Sequence, residues 1–215
     1  MHLGIFTFNP FQENTYVLYD ETGECVIIDP GCSNVKEQKI LDDFISSNDL
    51  TPVRLVNTHC HIDHILGNKY VSEKFKLGLE IHKGEIETLK SGVLIGRAYG
   101  IPYEESPDPE SFIEEGDEIV FGNTKLKTLF TPGHSAASIS FLNKESNILI
   151  AGDVLFLESI GRTDLPGGNM ETLLRSIKEQ LFVLPEETQV YSGHGPKTTI
   201  GHEKVNNPFL KELSQ

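Results

Sequence analysis

Apolar positions along the chain recur at two periods, and the switches between them divide it into short elements. Residues 3–8 (LGIFTF) and 15–19 (TYVLY) are dense in β-branched and aromatic side chains and predict two strands. Asp20-Glu21-Thr22-Gly23 has turn chemistry and leads into a third strand, Cys25–Asp29, which Pro30-Gly31 ends. In 35–48, Val35, Leu41, Phe44 and Ile45 fall at helical spacing, with Ser33 or Asn34 placed to cap them. Val53–Asn57 predicts a short strand that runs into a histidine-rich loop, and Ile65–Phe75 a helix. A strand over 79–82 and a helix over 83–95 follow. Gly100–Glu115 holds three prolines and six carboxylates and reads as a loop. Strands are predicted at 118–121, 124–130, 137–142 and 147–151. Asn169–Phe182 sets Leu173, Leu174, Ile177 and Leu181 on one helical face. Thr188–Tyr191 predicts a last strand, and 200–213 terminal helical turns. Strands with interspersed helices thus occur about twice over. That suggests two sheets packed face to face with helices outside, although periodicity equally allows a doubly wound sheet.

Composition narrows the setting. A chain of 215 residues makes one domain or two small ones. Its 18 basic and 32 acidic residues give a formal net charge of −14, which repels phosphate backbones and argues against a nucleic-acid partner. No apolar run reaches the ~18–20 residues of a membrane span, and MHLGIFTFNPF lacks the basic start of a signal peptide. Cys25, Cys32 and Cys60 are odd in number and form no CxxC, so neither a disulfide framework nor a thiolate zinc site is indicated. A reduced cytoplasmic protein is expected.

The chemistry concentrates in Thr58-His59-Cys60-His61-Ile62-Asp63-His64. Strand-like alternation puts His59 and His61 on one side and Cys60 on the other, with Asp63 and His64 following as the chain turns. Imidazole and carboxylate are the donors that borderline divalent ions prefer. Three more candidates sit at the ends of apolar strands: His134 after Gly133, Asp153 after Gly152, and His194 between Gly193 and Gly195. A glycine beside each lets the backbone bend, which turns a strand end into a ligand arm.

His-x-His-x-Asp-His, then Gly-His, Gly-Asp and Gly-His, in this order, resembles the metallo-β-lactamase superfamily over nearly the whole chain. The resemblance implies a mixed α/β fold, a four-layer αββα sandwich, with a dinuclear site at one sheet edge. It further implies that His59, His61 and His134 hold one divalent ion, that Asp63, His64 and His194 hold a second, and that Asp153 bridges them. Zinc is the expected metal, with iron or manganese as alternatives. Ser159–Gly168 and Gly193–Gly201 are similar to the glyoxalase II-like branch, especially its small bacterial members. Glyoxalase II proper carries a C-terminal helical domain, so 1–215 is expected to be one catalytic domain without it. The activity implied is hydrolysis of a small thioester of the S-lactoylglutathione type. A hydroxide between the ions would attack the carbonyl, with Asp63 aiming it. A thiolate leaves with little protonation, so a site built of ligands suffices.

Other residues carry two readings each. Arg162 and Lys197 are candidate substrate contacts, or a local pair with Asp164 and a solvated loop lysine. Thr58 can orient Asp63 or a ligand. Cys60 is expected to be a packed thiol, and His2, His82 and His202 to be peripheral. A mononuclear iron persulfide dioxygenase shares Gly161-Arg162-Thr163-Asp164 and is the main alternative. A nuclease or lactonase would use the same ligands, and the charge opposes the nuclease. Flavin-partnered diiron reductases carry a glutamate in the first motif, where this chain has histidines.

Overall fold

The computed structural model describes residues 1–211; residues 212–215, and with them the end of the helix predicted over 200–213, lie outside. The chain divides into two compact units, Met1–Ile113 with Val120–Lys125, and Glu114–Ile119 with Leu126 onward.

The first unit holds one sheet of six strands in sequence order: β1 (His2–Phe8), β2 (Glu13–Tyr19), β3 (Glu24–Ile28), β4 (Thr51–Val56), β5 (Leu79–Ile81) and β6 (Pro109–Phe112). β1, β2 and β3 pair antiparallel, then β3 to β6 run parallel. Parallel neighbours need crossovers, and helices supply them: α1 (Val35–Ser47), α2 (Ile62–Ile65), α3 (Asn68–Phe75) and α4 (Ile86–Tyr99). Asn34 caps α1 by accepting from Lys36 N and Glu37 N, while Glu37 bonds back to Ser33, so each predicted cap residue has a part. Val17, Cys25, Ile27, Leu55, Leu79 and Ile81 face one way and pack with Leu41, Ile45, Ile65, Val71 and Leu89 of the helices. The alternate residues Tyr16, Leu18, Val26, Ile28 and Val56 are buried as well.

The second sheet runs in the order β14 (Thr198–Thr199), β13 (Gln189–Ser192), β10 (Ile148–Gly152), β9 (Ile139–Asn143), β8 (Thr124–Phe130), β7 (Glu118–Phe121). β11 (Leu155–Phe156) and β12 (Ser159–Ile160) form a small ribbon. α5 (Met170–Ser176) continues as a π-turn over Ile177–Leu181, and α6 (Ile200–Asn206) follows β14. Leu173, Ile177 and Leu181 cover Leu129, Leu149, Ala151 and Val190.

Several expectations are corrected. The stretch read as a loop, 100–115, contains edge strand β6, and Pro109 opens it, where no ladder donor is needed. The helix predicted over 65–75 is broken between α2 and α3, because Gly67 N bonds Pro30 O, and a Cβ at this position would strike Cys32 Sγ. The helix predicted over 83–95 starts as a 3₁₀ turn at Lys83–Glu85 and runs on to Tyr99. The two-residue strands β11, β12 and β14 lie below what periodicity detects.

Candidate metal centre

β3 and β4 run parallel, so their C-terminal ends lie side by side. Asp29 follows β3, and Asn57-Thr58-His59 follow β4. Asp29 Oδ1 accepts from Thr58 N at 2.7 Å, and Oδ2 accepts from Thr58 Oγ1 at 2.6 Å. The same Oδ2 lies 3.1 Å from His64 Nδ1. Since the Thr58 proton goes to Asp29, its oxygen accepts from His59 Nδ1, 3.1 Å away. Both imidazoles therefore carry their proton on Nδ1 and keep the Nε2 lone pair for another partner. Asp29, His59 and His64 gather their ligand atoms within 4.8 Å. The His59 ring lies 4.8 Å from that of His61 and 4.1 Å from that of His64. Asp63 Oδ2 is 3.7 Å from His64 Nε2. Two further side chains hold the backbone here. Glu85, fully buried, accepts from Cys60 N at 3.0 Å, and Asn57 Nδ2 donates to His64 O at 3.0 Å. The Cys60 thiol is packed in the apolar core, and burial raises its pKa well above the usual range, so it is an inert thiol.

In the second unit, β10 and β13 are parallel, and β8 and β10 both run antiparallel to β9. The C-terminal ends of β8, β10 and β13 thus share one edge, and His134, Asp153 and His194 follow those three ends. His134 Nδ1 lies 2.8 Å from Arg162 O. A carbonyl only accepts, so this ring also carries its proton on Nδ1. Asp153 Oδ2 is 3.5 Å from Nε2 of both His134 and His194. Gly193 N donates to Gly152 O at 2.9 Å and ties the two strand ends together. Gly161 has no room for a side chain, since a Cβ would strike Asp153 O and press on His134 Cβ.

Arg162 donates twice to Asp164, both bonds 2.7 Å, and this pairing holds the exposed Asp164 carboxyl down to about 2. Lys197 Nζ donates to Gln189 Oε1 at 2.8 Å and lies 5.6 Å from the Tyr191 ring centre. The Thr58 hydroxyl serves His59. His82 Nδ1 accepts from Gly84 N, His2 packs on Tyr19, and His202 meets Glu158. Asp29 and Glu85 escaped the sequence reading. Asp29 also ends an apolar strand, with Gly31 two positions on rather than beside it, whereas nothing in the sequence marks Glu85.

The donor set suits a divalent cation. Histidines locked on Nδ1, converging with carboxylate oxygens, crowd lone pairs together, and that repulsion is relieved by positive charge. No helix among the described residues is long and apolar enough to cross a membrane. A family model described as "Metallo-beta-lactamase superfamily" matches residues 8–194. A Bacillus subtilis protein named probable metallo-hydrolase YqgX is 43% identical over 95% of each chain. The hydroxyacylglutathione hydrolase GloC of Haemophilus influenzae is 34% identical over 100% of each. Among solved structures, the BLEG-1 B3 metallo-beta-lactamase has a TM-score of 0.87 at 36% identity, covering 97% of this chain and 99% of that one. TTHA1623 in a di-iron-bound form has a TM-score of 0.86 at 35% identity, covering 96% and 100%. The mixed α/β fold is thus the one shared by metallo-β-lactamase-fold proteins.

Proposed function

Because the chain belongs to the metallo-β-lactamase superfamily, we propose that it is a dinuclear metallohydrolase that cleaves a small thioester. The observation that carries the metal part is the Nδ1 lock on His59, His64 and His134. It prepares three Nε2 lone pairs as ligands before any ion arrives. His59, His61 and His134 are assigned to one ion; Asp63, His64 and His194 to the other; Asp153 to both. Ions held there supply Lewis acidity, acidifying water and polarising a carbonyl. Besides its assignment to an ion, Asp63, whose side chain keeps 14% exposure, would accept the hydrogen bond of the attacking hydroxide and aim its lone pair. Asp29 and Thr58 stay behind the ligands and hold imidazole protons.

The thioester part draws on the full-length likeness to GloC and on the chemistry of the leaving group. A thiol with an ordinary pKa of about 8.5 departs as thiolate without a dedicated acid. β-Lactam hydrolysis is the second reading, favoured by the 36% identity to BLEG-1; its amide nitrogen asks more of a proton donor. The choice between zinc and iron follows from occupancy in the purified protein, since imidazole and carboxylate do not select strongly.

The test is metal analysis of protein purified without added metal, with parallel assays of thiol release from S-lactoylglutathione, β-lactam opening and oxygen uptake. Two equivalents of zinc or iron with thiol release are expected. One equivalent of iron with oxygen uptake and no hydrolysis would overturn the proposal in favour of a dioxygenase.

A further inference from the structure

The ribbon of β11 and β12 leaves the metal centre and returns to it. It starts just past Asp153 and comes back at Gly161-Arg162. Along the way it meets all three ligand candidates of the second unit. Asp153 stands at its first foot. Phe156 lies beside the imidazole of His194, ring centres 6.3 Å apart. At its second foot, the Arg162 carbonyl is 2.8 Å from His134 Nδ1. Ser192 Oγ, two residues before His194, also donates to Leu155 O at 2.6 Å. Where this ribbon sits therefore sets where three side chains point.

A two-stranded ribbon of this length has no stability of its own. Leu155 and Ile160 pack with Ile200 and Leu210 in the apolar core of the unit. Apolar contacts are non-directional, so they set the depth of the ribbon but leave it free to slide. Its tip supplies the direction. Glu158 turns the chain there with φ 53°. Glu203 Oε2, on α6, accepts from Glu158 N at 2.9 Å, and Asn207 Nδ2 donates to Ser159 O at 3.0 Å. The same Nδ2 donates to Glu203 Oε2 at 2.7 Å, and Thr198 Oγ1 donates to Glu203 Oε1. On the surface, His202 of α6 meets the Glu158 side chain as well. Glu203 is fully buried and Asn207 nearly so.

A buried carboxylate is a costly way to hold a turn, because its desolvation is offset only by donors placed around it. Apolar residues of similar volume would give as much cohesion. The carboxylate adds position instead. It ties the ribbon tip to Thr198, four residues past His194, and to the end of α6, each at a fixed atom.

We propose that Glu203, together with Asn207, is a positioning residue for the ligands of the second unit, fixing the register of the ribbon that seats His134, Asp153 and His194. The inference rests on the assignment of those three residues to metal ions, and places their support on α6, past the last ligand in the chain.

The first measurement is the long-range nitrogen–proton NMR spectrum of the imidazoles in metal-free, full-length protein. His134 is expected to carry its proton on Nδ1. Glu203→Leu should convert it to a mixture of tautomers, with His59 and His64, held by Thr58 and Asp29, unchanged. The second is zinc affinity by chelator competition. It should fall about three- to tenfold, less than for loss of a direct partner of a ligand. Glu203→Gln should restore both. Its carbonyl oxygen can take Glu158 N and Asn207 Nδ2, while its amide donates to Thr198 Oγ1.

A Glu203→Leu protein that unfolds earlier in denaturant, with the His134 tautomer and zinc affinity of the wild type, would overturn the inference, leaving Glu203 a stabilising residue only. Equal changes at His59 and His64 would overturn it too, as general loosening. If Glu203→Leu does not fold, Asn207→Ala, which removes the bond to Ser159 O and keeps Glu203, is read in the same two ways. If the wild type binds no zinc, the metal assignment fails, and the His134 tautomer alone decides the positioning role.

Discussion

In the first unit, His59 and His64 turn Nδ1 toward side chains, the Thr58 hydroxyl and the Asp29 carboxylate. In the second, His134 turns Nδ1 toward a peptide carbonyl, that of Arg162, and Asp153 is hemmed in by the backbone of Gly161. The same task, fixing an imidazole's proton and direction, is done by two kinds of partner. A carboxylate adds negative charge behind the ligand and raises its basicity, but it concentrates the work in one replaceable side chain. A main-chain partner is indifferent to side-chain identity, but it depends on a close backbone path. The first set is therefore exposed to loss of an acid, and the second to gain of a methyl group.

The largest effect is expected from Asp29→Asn. Asparagine tolerates the left-handed backbone at this position, φ 50°, but offers one acceptor oxygen where two are used. Metal affinity should fall about 10–100-fold, read by competition with a chromogenic chelator. An unchanged affinity would mean that Asp29 does not hold the ligands. Next comes Gly161→Ala, which breaks the second set alone. It should cost about 1–3 kcal/mol of stability in denaturant unfolding and lower metal content. If it is silent, the close path along Asp153 is not a constraint. The smallest effect is expected from Arg162→Ala. Its ion pair with Asp164 is exposed and screened by solvent, so it adds little, and the carbonyl under His134 survives the change. Metal affinity and KM for an uncharged thioester should both hold, by chelator competition and steady-state kinetics. A tenfold loss of metal affinity would show that the side chain matters where only the main chain is assigned.

The sequence made the second set easier to find than the network behind the first. His134, Asp153 and His194 each stand at the end of an apolar run beside a glycine, a local signature. Asp29 also ends an apolar run, yet Asp-Pro-Gly is an ordinary turn, and only the parallel pairing of β3 with β4 brings it to Thr58. Glu85 acts on Cys60 N across 25 positions of chain, which no local pattern conveys. Element boundaries went astray for similar reasons. Helical periodicity runs smoothly through Leu66-Gly67, and the break there comes from Pro30 and Cys32, far back in sequence. Prolines concealed β6 because an edge strand can begin on one.

The contact between His134 and the carbonyl of residue 162 bears on how such a protein diversifies. Every amino acid has that carbonyl, so position 162 can be randomised without touching the imidazole it steadies. A library at residue 162 would sample the chemistry beside the centre while the centre itself stays assembled. The equivalent freedom is missing at position 29, where the side chain is itself the support.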